Sequence, residues 1–450
     1  MNAPPRIDHV AVIGAGFSGT LQAINLLRHD GPRVTLIERR DAFARGVAYS
    51  TATPEHLLNV RASNMSALPD DPDHFVRWLA ARGKGQPQSF ASRCDYGDYL
   101  AELLAAELRA NPGRLTLRQD EAISLDMRPD GVTIAFADGS TLAADAAVLA
   151  LGNLPPHDPP GLGGDLPADL YARDPWGPGI TDGLTDDDTV LIIGTGLTMI
   201  DMVLALDAKG FRGPIVALSR RGLAPHAHGD APKTSLPEKP VELGSALVHR
   251  VRARAREIGW RSAIDELRPY TQAMWLSAPP AEQRRFLRHL RAWWDIHRHR
   301  LSPQVAEKVA TLRASGRLRI VAGKLQSVDA QTGQAAFRPR HRHDIETIAP
   351  RRIINCTGPQ GDLLRTGEPL LKSLVASGHL RPDPLHLGID VNAQAETIDA
   401  TGKANPRLIA LGPMTRGAFW EIVAVPDIRM QTWSVARRLS HAQWVGGEGL

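Results

Sequence analysis

Two stretches of this chain carry the same succession of apolar runs and small residues. In the first, the β-branched run Val10–Ile13 leads straight into Gly14-Ala15-Gly16-Phe17-Ser18-Gly19. Leu21, Ile24, Leu26 and Leu27 then recur at helical spacing as far as Gly31-Pro32, and a second apolar run, Val34–Ile37, closes on Glu38. The second stretch repeats the order: Val190–Ile193, then Gly194-Thr195-Gly196-Leu197-Thr198-Met199, a helix through Leu206 and a strand at Ile215–Leu218. Both predict strand, glycine turn, helix, strand. Each is followed by a β-rich segment that ends in a small-residue turn. Gly131–Phe136 and Thr141–Ala143 flank the turn signal Asp138-Gly139, and Ala146–Leu151 ends at Gly152-Asn153. Leu318–Val321 and Ile345–Ile354 likewise lead to Asn355-Cys356-Thr357-Gly358-Pro359.

Each glycine has a mechanical reason. Gly14 permits a tight turn, Gly16 lets backbone approach a pyrophosphate, and Gly19 lets helix and strand pack closely. The helix start at Phe17 and Ser18 then offers free N–H groups and a partial positive charge to phosphate. Glu38, about twenty residues on, can accept the ribose hydroxyls of an adenosine. The second turn differs twice. Met199 replaces the third glycine, and the strand end reads Leu218-Ser219-Arg220-Arg221 in place of an acid. A carboxylate there would repel a 2′-phosphate, whereas guanidinium binds phosphate in a forked geometry. NADPH is therefore expected over NADH, the alternative being that Arg220 and Arg221 form a solvated loop end. Two dinucleotide sites with different endings imply electron transfer between two redox cofactors: FAD at the acid-ended first site and a nicotinamide donor at the second.

The expected architecture is α/β, with two Rossmann-like dinucleotide-binding domains. Residues 1–158 and 359–450 form a discontinuous FAD domain, and residues 159–358 form the NAD(P)H domain. The proline-rich run Leu154–Pro160 reads as a linker. A helical insertion is expected at about 232–316 in the second domain. There Phe286, Leu290, Trp293 or Trp294, and His297 share one helix face. That face is either a core stripe against the parent domain or a lid whose tryptophan and His297-Arg298-His299-Arg300 line a substrate pocket.

Composition narrows the field. With 450 residues, 43% hydrophobic and 23% charged, the chain is long enough for two or three globular domains. No apolar run is long enough to span a membrane. The opening residues show no cationic segment followed by a long apolar run, so no signal peptide is expected and the cytoplasm is the default compartment. Only two cysteines, Cys94 and Cys356, are present and they lie far apart, which excludes a disulfide framework, a redox pair or a cysteine-built zinc site. No metal site is expected. The net charge of +4 is mild and aromatics are 5%, which argues against nucleic acid and suits anionic small molecules.

Further motifs bring a resemblance. The chain resembles the bacterial FAD/NAD(P)-binding flavoproteins that include FAD-dependent urate hydroxylase and nitrosuccinate synthase. The resemblance rests on Arg45–Ser50, His56–Val60, Met65-Ser66, Phe75, Trp78-Leu79 and Tyr96–Leu100. It continues through Gly194–Thr198 with Asp201, Ser219–Gly222, the stretch from Trp294-Asp295 to His297–Arg300, Asn355–Pro359, Gly412-Pro413 through Arg416-Gly417, Trp420-Glu421 and Ala424–Pro426. It implies that Gly14, Gly16, Gly19 and Glu38, with Phe17, Ser18 and Arg39 beside them, hold the FAD adenosine diphosphate. Tyr49 and the loop His56–Met65, with Asn59 as a polar contact, would lie along the flavin. Gly412 and the helix starting near Val425 would approach its ring, with Trp420 and Gly152 nearby. Gly194, Gly196, Leu197, Thr198, Ser219, Arg220, Arg221 and Gly358 would serve the nicotinamide cofactor. Arg61 stands where a proline is more usual, and Pro413 where many two-domain flavoproteins have an aspartate.

The expected activity is that of an NAD(P)H-consuming monooxygenase. It would use oxygen by way of a flavin hydroperoxide to hydroxylate a small polar or anionic substrate, a urate-like purine or an amino acid. The alternatives are a reductase passing electrons to a quinone, and a non-enzymatic redox sensor. The cofactor would carry the chemistry, so no catalytic side chain is assigned. His226, His228, Trp294, Arg298 and Arg300 are the candidate substrate contacts. The oligomeric state is not legible.

Overall fold

The structure is a computed structural model that describes residues 7–28, 31–51, 53–163 and 166–440. Residues 1–6, part of the stretch read as lacking a leader, lie outside them. The chain divides into two compact units. One comprises residues 1–52, 60–154 and 361–450; the other comprises 53–59 and 155–360.

The first unit is built on a six-stranded sheet. Its order is Glu396–Ile398, Ala404–Ala410, Ala146–Leu149, His9–Ile13, Arg33–Glu38, Leu115–Gln119. All neighbours run parallel except the edge strand Glu396–Ile398. Val10–Val12 and Ala146–Val148 have no exposed surface, as strands covered on both faces require. The helix Phe17–Arg28 is buried along Phe17–Leu27. An antiparallel sheet of Ala122–Met127, Val132–Phe136 and Thr141–Ala144 completes this unit's strands, with Gly139 (φ +84°) in the hairpin turn.

The second unit repeats the plan. Its seven strands run Glu346–Ile348, Ala335–Pro339, Leu318–Val328, Ile215–Ser219, Val190–Ile193, Arg352–Asn355, Tyr171–Ala172. The last five are parallel, and the first two add antiparallel. The apolar stretch Ile345–Ile354 is not one β segment. Pro350 interrupts it, and its halves lie near opposite edges of the sheet, at Glu346–Ile348 and Arg352–Asn355. Leu318–Val328 is longer than its apolar start predicts: its second half leaves the parallel ladder to pair with Ala335–Pro339.

Between Ile215–Ser219 and Leu318–Val328 stand six α-helices: Gly244–Ile258, Trp260–Asp265, Thr271–Ser277, Pro280–His289, Arg291–Arg298 and Pro303–Ala314. The last packs Val305, Val309 and Leu312 into the core beside Ile192 and Met199, so it is a crossover helix of the nucleotide fold. The stripe from Phe286 to His297 is not a single buried face. The helix breaks at Leu290, no residue of Pro280–His289 is buried, and Trp293 is 46% exposed. Among the described residues no helix is long and apolar enough to cross a membrane, and no group of three or more His, Cys, Asp or Glu could hold a metal ion.

Candidate dinucleotide sites

In each unit the fingerprint strand is a topological switch point. His9–Ile13 has Arg33–Glu38 on one side and Ala146–Leu149 on the other; Val190–Ile193 lies likewise between Ile215–Ser219 and Arg352–Asn355. Strand order reverses there, and the crevice outside the carboxyl ends is where such sheets take ligands.

The first turn is shaped by close backbone approach. Gly14 has φ +98°, and a Cβ on it would stand 2.5 Å from the Ala150 carbonyl oxygen. Gly19 backs directly onto the Gly14 carbonyl. Gly16 meets Gly46, where a Cβ would lie 2.9 Å from Gly16 Cα. Gly412, whose N–H donates to Gln431 Oε1 (2.8 Å), lies where a Cβ would be 2.6 Å from Ser18 Oγ. Glycines thus leave the first turn of Phe17–Arg28 bare, with the N–H groups that a helix start cannot satisfy internally. Glu38 accepts the Ala15 N–H (2.9 Å) on one oxygen and the Arg40 N–H (3.1 Å) on the other. A carboxylate has about four lone-pair sites, so this bracing leaves capacity for ribose hydroxyls. A bare anion-attracting turn beside an acid fits the adenosine diphosphate half of FAD.

Around this turn, Tyr49 packs against Phe17 (ring centroids 6.2 Å) and Tyr96 (4.8 Å). Burial pushes its phenol up to about 12, against the opposing charge of Arg93, so it remains a protonated donor at neutral pH. Met65 and Val425 are buried and Trp420 is half-buried. Gly152 (φ +69°) has open space beside it. Arg39 is exposed and paired with Glu368 (2.8 Å) and Glu121 (3.3 Å). The loop His56–Met65 is divided: residues up to 59 pack with the second unit, those from 60 with the first. His56 Nε2 bonds the Asp201 carbonyl (2.8 Å), and the Asn59 carbonyl accepts from His228 Nε2 (2.9 Å).

The second turn has the same backbone and different braces. Gly194 (φ +112°) lies against the Cys356 carbonyl, and Gly196 faces open space. Thr195 Oγ1 donates to the Leu223 carbonyl and pairs with Ser219 Oγ (2.8 Å), which accepts the Gly222 N–H (3.0 Å). Leu197 and Thr198 are half-buried at the helix start, and Gly358 (φ +93°) faces open space. Arg220 is exposed, whereas Arg221 donates to the carbonyls of His289 (3.0 Å) and Arg288 (3.5 Å). One guanidinium at this strand end is therefore free to meet a phosphate, which fits a 2′-phosphorylated nicotinamide cofactor.

Among the substrate candidates, His226 is exposed, Trp294 and Arg298 are half-buried, and His228 is engaged by Asn59. Arg300 does not offer its guanidinium to a ligand. It is 5% exposed, and Asp265 takes it at 2.9 and 3.0 Å, with the Arg261 and His297 carbonyls completing its set. That partner lies 35 residues away, where spacing gives no warning. The sequence reading also missed Gly46 as the partner of Gly16, although it stands within the quoted Arg45–Ser50 motif, and Trp260, which carries no sequence signal. Cys94 and Cys356 are both free thiols; burial, then the charge of Asp201, pushes the Cys356 thiol well up.

Residues 11–154 match the family described as FAD-NAD(P)-binding. An L-aspartate N-monooxygenase (nitrosuccinate-forming) from Streptomyces cremeus is 30% identical over 155 residues. The alignment covers 30% of this chain and 22% of that relative's length. Among solved structures, the ornithine hydroxylase of Pseudomonas aeruginosa superposes with a TM-score of 0.65 at 16% identity, over 97% of this chain and 99% of that one. The L-lysine 6-monooxygenase of Pseudomonas syringae gives 0.64 at 15%, over 97% and 100%. The thioredoxin reductase of T. acidophilum gives 0.54 at 12%, over 97% and 99%. The fold is that of two-domain FAD/NAD(P) flavoproteins, and it is shared by oxygenases and reductases.

Proposed function

We propose that this protein is an FAD-dependent, NADPH-consuming monooxygenase that hydroxylates a small amino-acid-like substrate. The observation that carries the reading is the pair of glycine turns, one ending on Glu38 and one on Arg220, in a chain of which 155 residues align with an aspartate N-monooxygenase. FAD, when bound, supplies the oxygen and hydride chemistry. The chain's own work is binding and orientation. Gly14, Gly16, Gly46 and Gly412 clear the helix start for the pyrophosphate, and Glu38 holds the ribose. Tyr49 contributes a neutral phenol and an aromatic wall that excludes water. Arg220 selects the 2′-phosphate. Oxygen and a small molecule are the partners, and the cytoplasm is the compartment this reading favours.

A reductase reading has one specific support, the fold shared with thioredoxin reductase. Thiol exchange is disfavoured, because Cys356 is buried with its thiol held protonated. Passage of electrons to a quinone is the form of that reading left to test. The test is NADPH and oxygen consumption by the purified yellow protein across amino acids, then purines. Stimulation of both in equal measure by one class, without peroxide release, is the expected result. Fast oxidation of NADPH with quinones, indifferent to every amino acid and purine, would overturn it.

A further inference from the structure

Beyond the strand Ile215–Ser219, the chain is stitched to the end of the insertion. The His226 N–H donates to the Ile296 carbonyl (3.0 Å), and the His226 carbonyl accepts from Leu301 (2.8 Å). This brings three rings from three segments together. The His226 ring centroid lies 4.7 Å from His297 and 5.0 Å from Trp260, and the last two are 5.0 Å apart, edge to face. Two guanidiniums flank Trp260: Arg261 at 4.5 Å and Arg300 at 5.1 Å from its centroid. Both are held by protein partners, Arg261 by the Ala227 carbonyl and Arg300 by Asp265. They therefore contribute charge to this place without reaching a ligand.

The imidazoles are what remains. His226 is exposed, and neither ring nitrogen has a hydrogen-bond partner among the described residues. His297 donates from Nδ1 to the Trp293 carbonyl (2.7 Å), which leaves Nε2 for a ligand. Arg261 and Arg300 act on His226, and Asp265 pairs with Arg300. The helix Arg291–Arg298 also carries Arg298 and Asp295, the latter 3.5 Å from Arg291. Positive charge predominates, so an ammonium is disfavoured and a carboxylate favoured. Desolvation, then His297, Arg261 and Arg300, hold His226 below its ordinary value, so it is neutral at pH 7 and donates from a single nitrogen. With hydrogen bonds of about 2.8 Å, one carboxylate can bridge two rings this close.

We propose that His226 and His297, set by Trp260, form a carboxylate-binding site that takes the acid end of the substrate. The proposal rests on the monooxygenase reading for what the bound acid is used for, and not for the binding itself. Because Nδ1 of His297 already donates, the ring gives a carboxylate its second hydrogen bond through Nε2, opposite the one His226 supplies.

The experiment is calorimetric titration of the FAD-loaded protein with succinate, with succinamide as the uncharged control. Succinate is expected to bind and succinamide not to bind. His297→Gln should weaken succinate binding about tenfold, the scale of a charged hydrogen bond. His226→Gln should weaken it by a similar factor. Should His297→Gln fail to fold, His226→Gln decides alone, since that exposed side chain has no hydrogen bond to lose. Equal binding of succinate and succinamide, indifference to His226→Gln, or competitive displacement of succinate by 2′-AMP would each overturn the proposal. Intact succinate binding without any amino-acid-stimulated oxygen use would instead sink the monooxygenase reading and leave this site standing.

Discussion

The two glycine turns solve one mechanical problem with different materials. Both place a positive-φ glycine against the carbonyl of the neighbouring strand's end, Gly14 on Ala150 and Gly194 on Cys356. That contact sets how the chain leaves the strand and where the next helix begins, so it tolerates no side chain. The bracing around it varies. A carboxylate ties the first turn down, with Glu38 on the Ala15 N–H. Hydroxyls tie the second, with Thr195 bonded to Ser219 and Leu223. On the proposed reading, the brace and the ligand reader are one residue in the first turn and separate residues in the second, where Ser219 braces and Arg220 is exposed. Separating the two tasks lets the second site exchange an acid for a cation without losing its turn.

The strongest break of this parallel is to add one methyl to each turn. Gly14→Ala should yield colourless protein, because positive φ costs an alanine about 1–2 kcal/mol and its Cβ meets the Ala150 oxygen at 2.5 Å. Gly194→Ala should stay yellow and lose NADPH oxidation. Absorbance of the purified variants and steady-state NADPH consumption read the two outcomes. Equal flavin loss in both would show that the turns do not serve separate nucleotides.

A smaller effect tests whether the missing third glycine matters. Met199 is fully buried beside Ile192 and Val203, so it fills space that Gly19 leaves closed in the first unit. Met199→Gly should destabilise the second unit by about 3–5 kcal/mol, from a cavity and a glycine in the first turn of Leu197–Ala208, measured by urea unfolding. A loss under about 1 kcal/mol would mean that the helix can settle onto the strand as the first one does.

What the sequence showed plainly was local. A glycine needed for backbone contact leaves its mark within six residues, and the flanking strands are marked by their own apolar runs. Contacts made across the chain left no such mark. Nothing near His56 announces that it bonds Asp201, or that Leu57 joins the second unit's core. Ala335–Pro339 becomes a strand because Leu318–Val328 overruns its parallel partner and offers an edge, although its own residues do not read as one. The apolar face of Phe286–His297 was visible, but the break at Leu290 was not, and the break turns that face into two half-exposed helices. Arg300 looked free until Asp265 folded onto it.

Next in size is the reader of the second site. On the proposed reading, Arg220→Ala removes a charged hydrogen bond to the 2′-phosphate, worth about 1.5–3 kcal/mol, and should raise KM for NADPH by about tenfold or more while that for NADH hardly moves. Arg221→Ala should do less to that ratio, since Arg221 is engaged by the His289 carbonyl. If both cofactors suffer alike from Arg220→Ala, the residue does not read the phosphate.

The mildest substitution sharpens the comparison most. Glu38→Gln keeps an oxygen for the Ala15 N–H, so that brace survives, while the negative charge and the acceptor for the exposed Arg40 N–H go. Because brace and reader coincide here, flavin affinity should weaken only several-fold, about 1 kcal/mol, with thermal stability nearly unchanged. Glu38→Ala removes the brace as well and leaves the Ala15 N–H without its acceptor. It should cost about 1–3 kcal/mol more and lower stability in the same step. Titration of the apoprotein with FAD, set beside thermal unfolding, separates the two quantities. If Glu38→Gln weakens FAD as much as Glu38→Ala does, charge alone holds the ribose, and the brace is incidental. If neither changes flavin binding, the acid serves only the turn, and the first site, like the second, has its reader elsewhere.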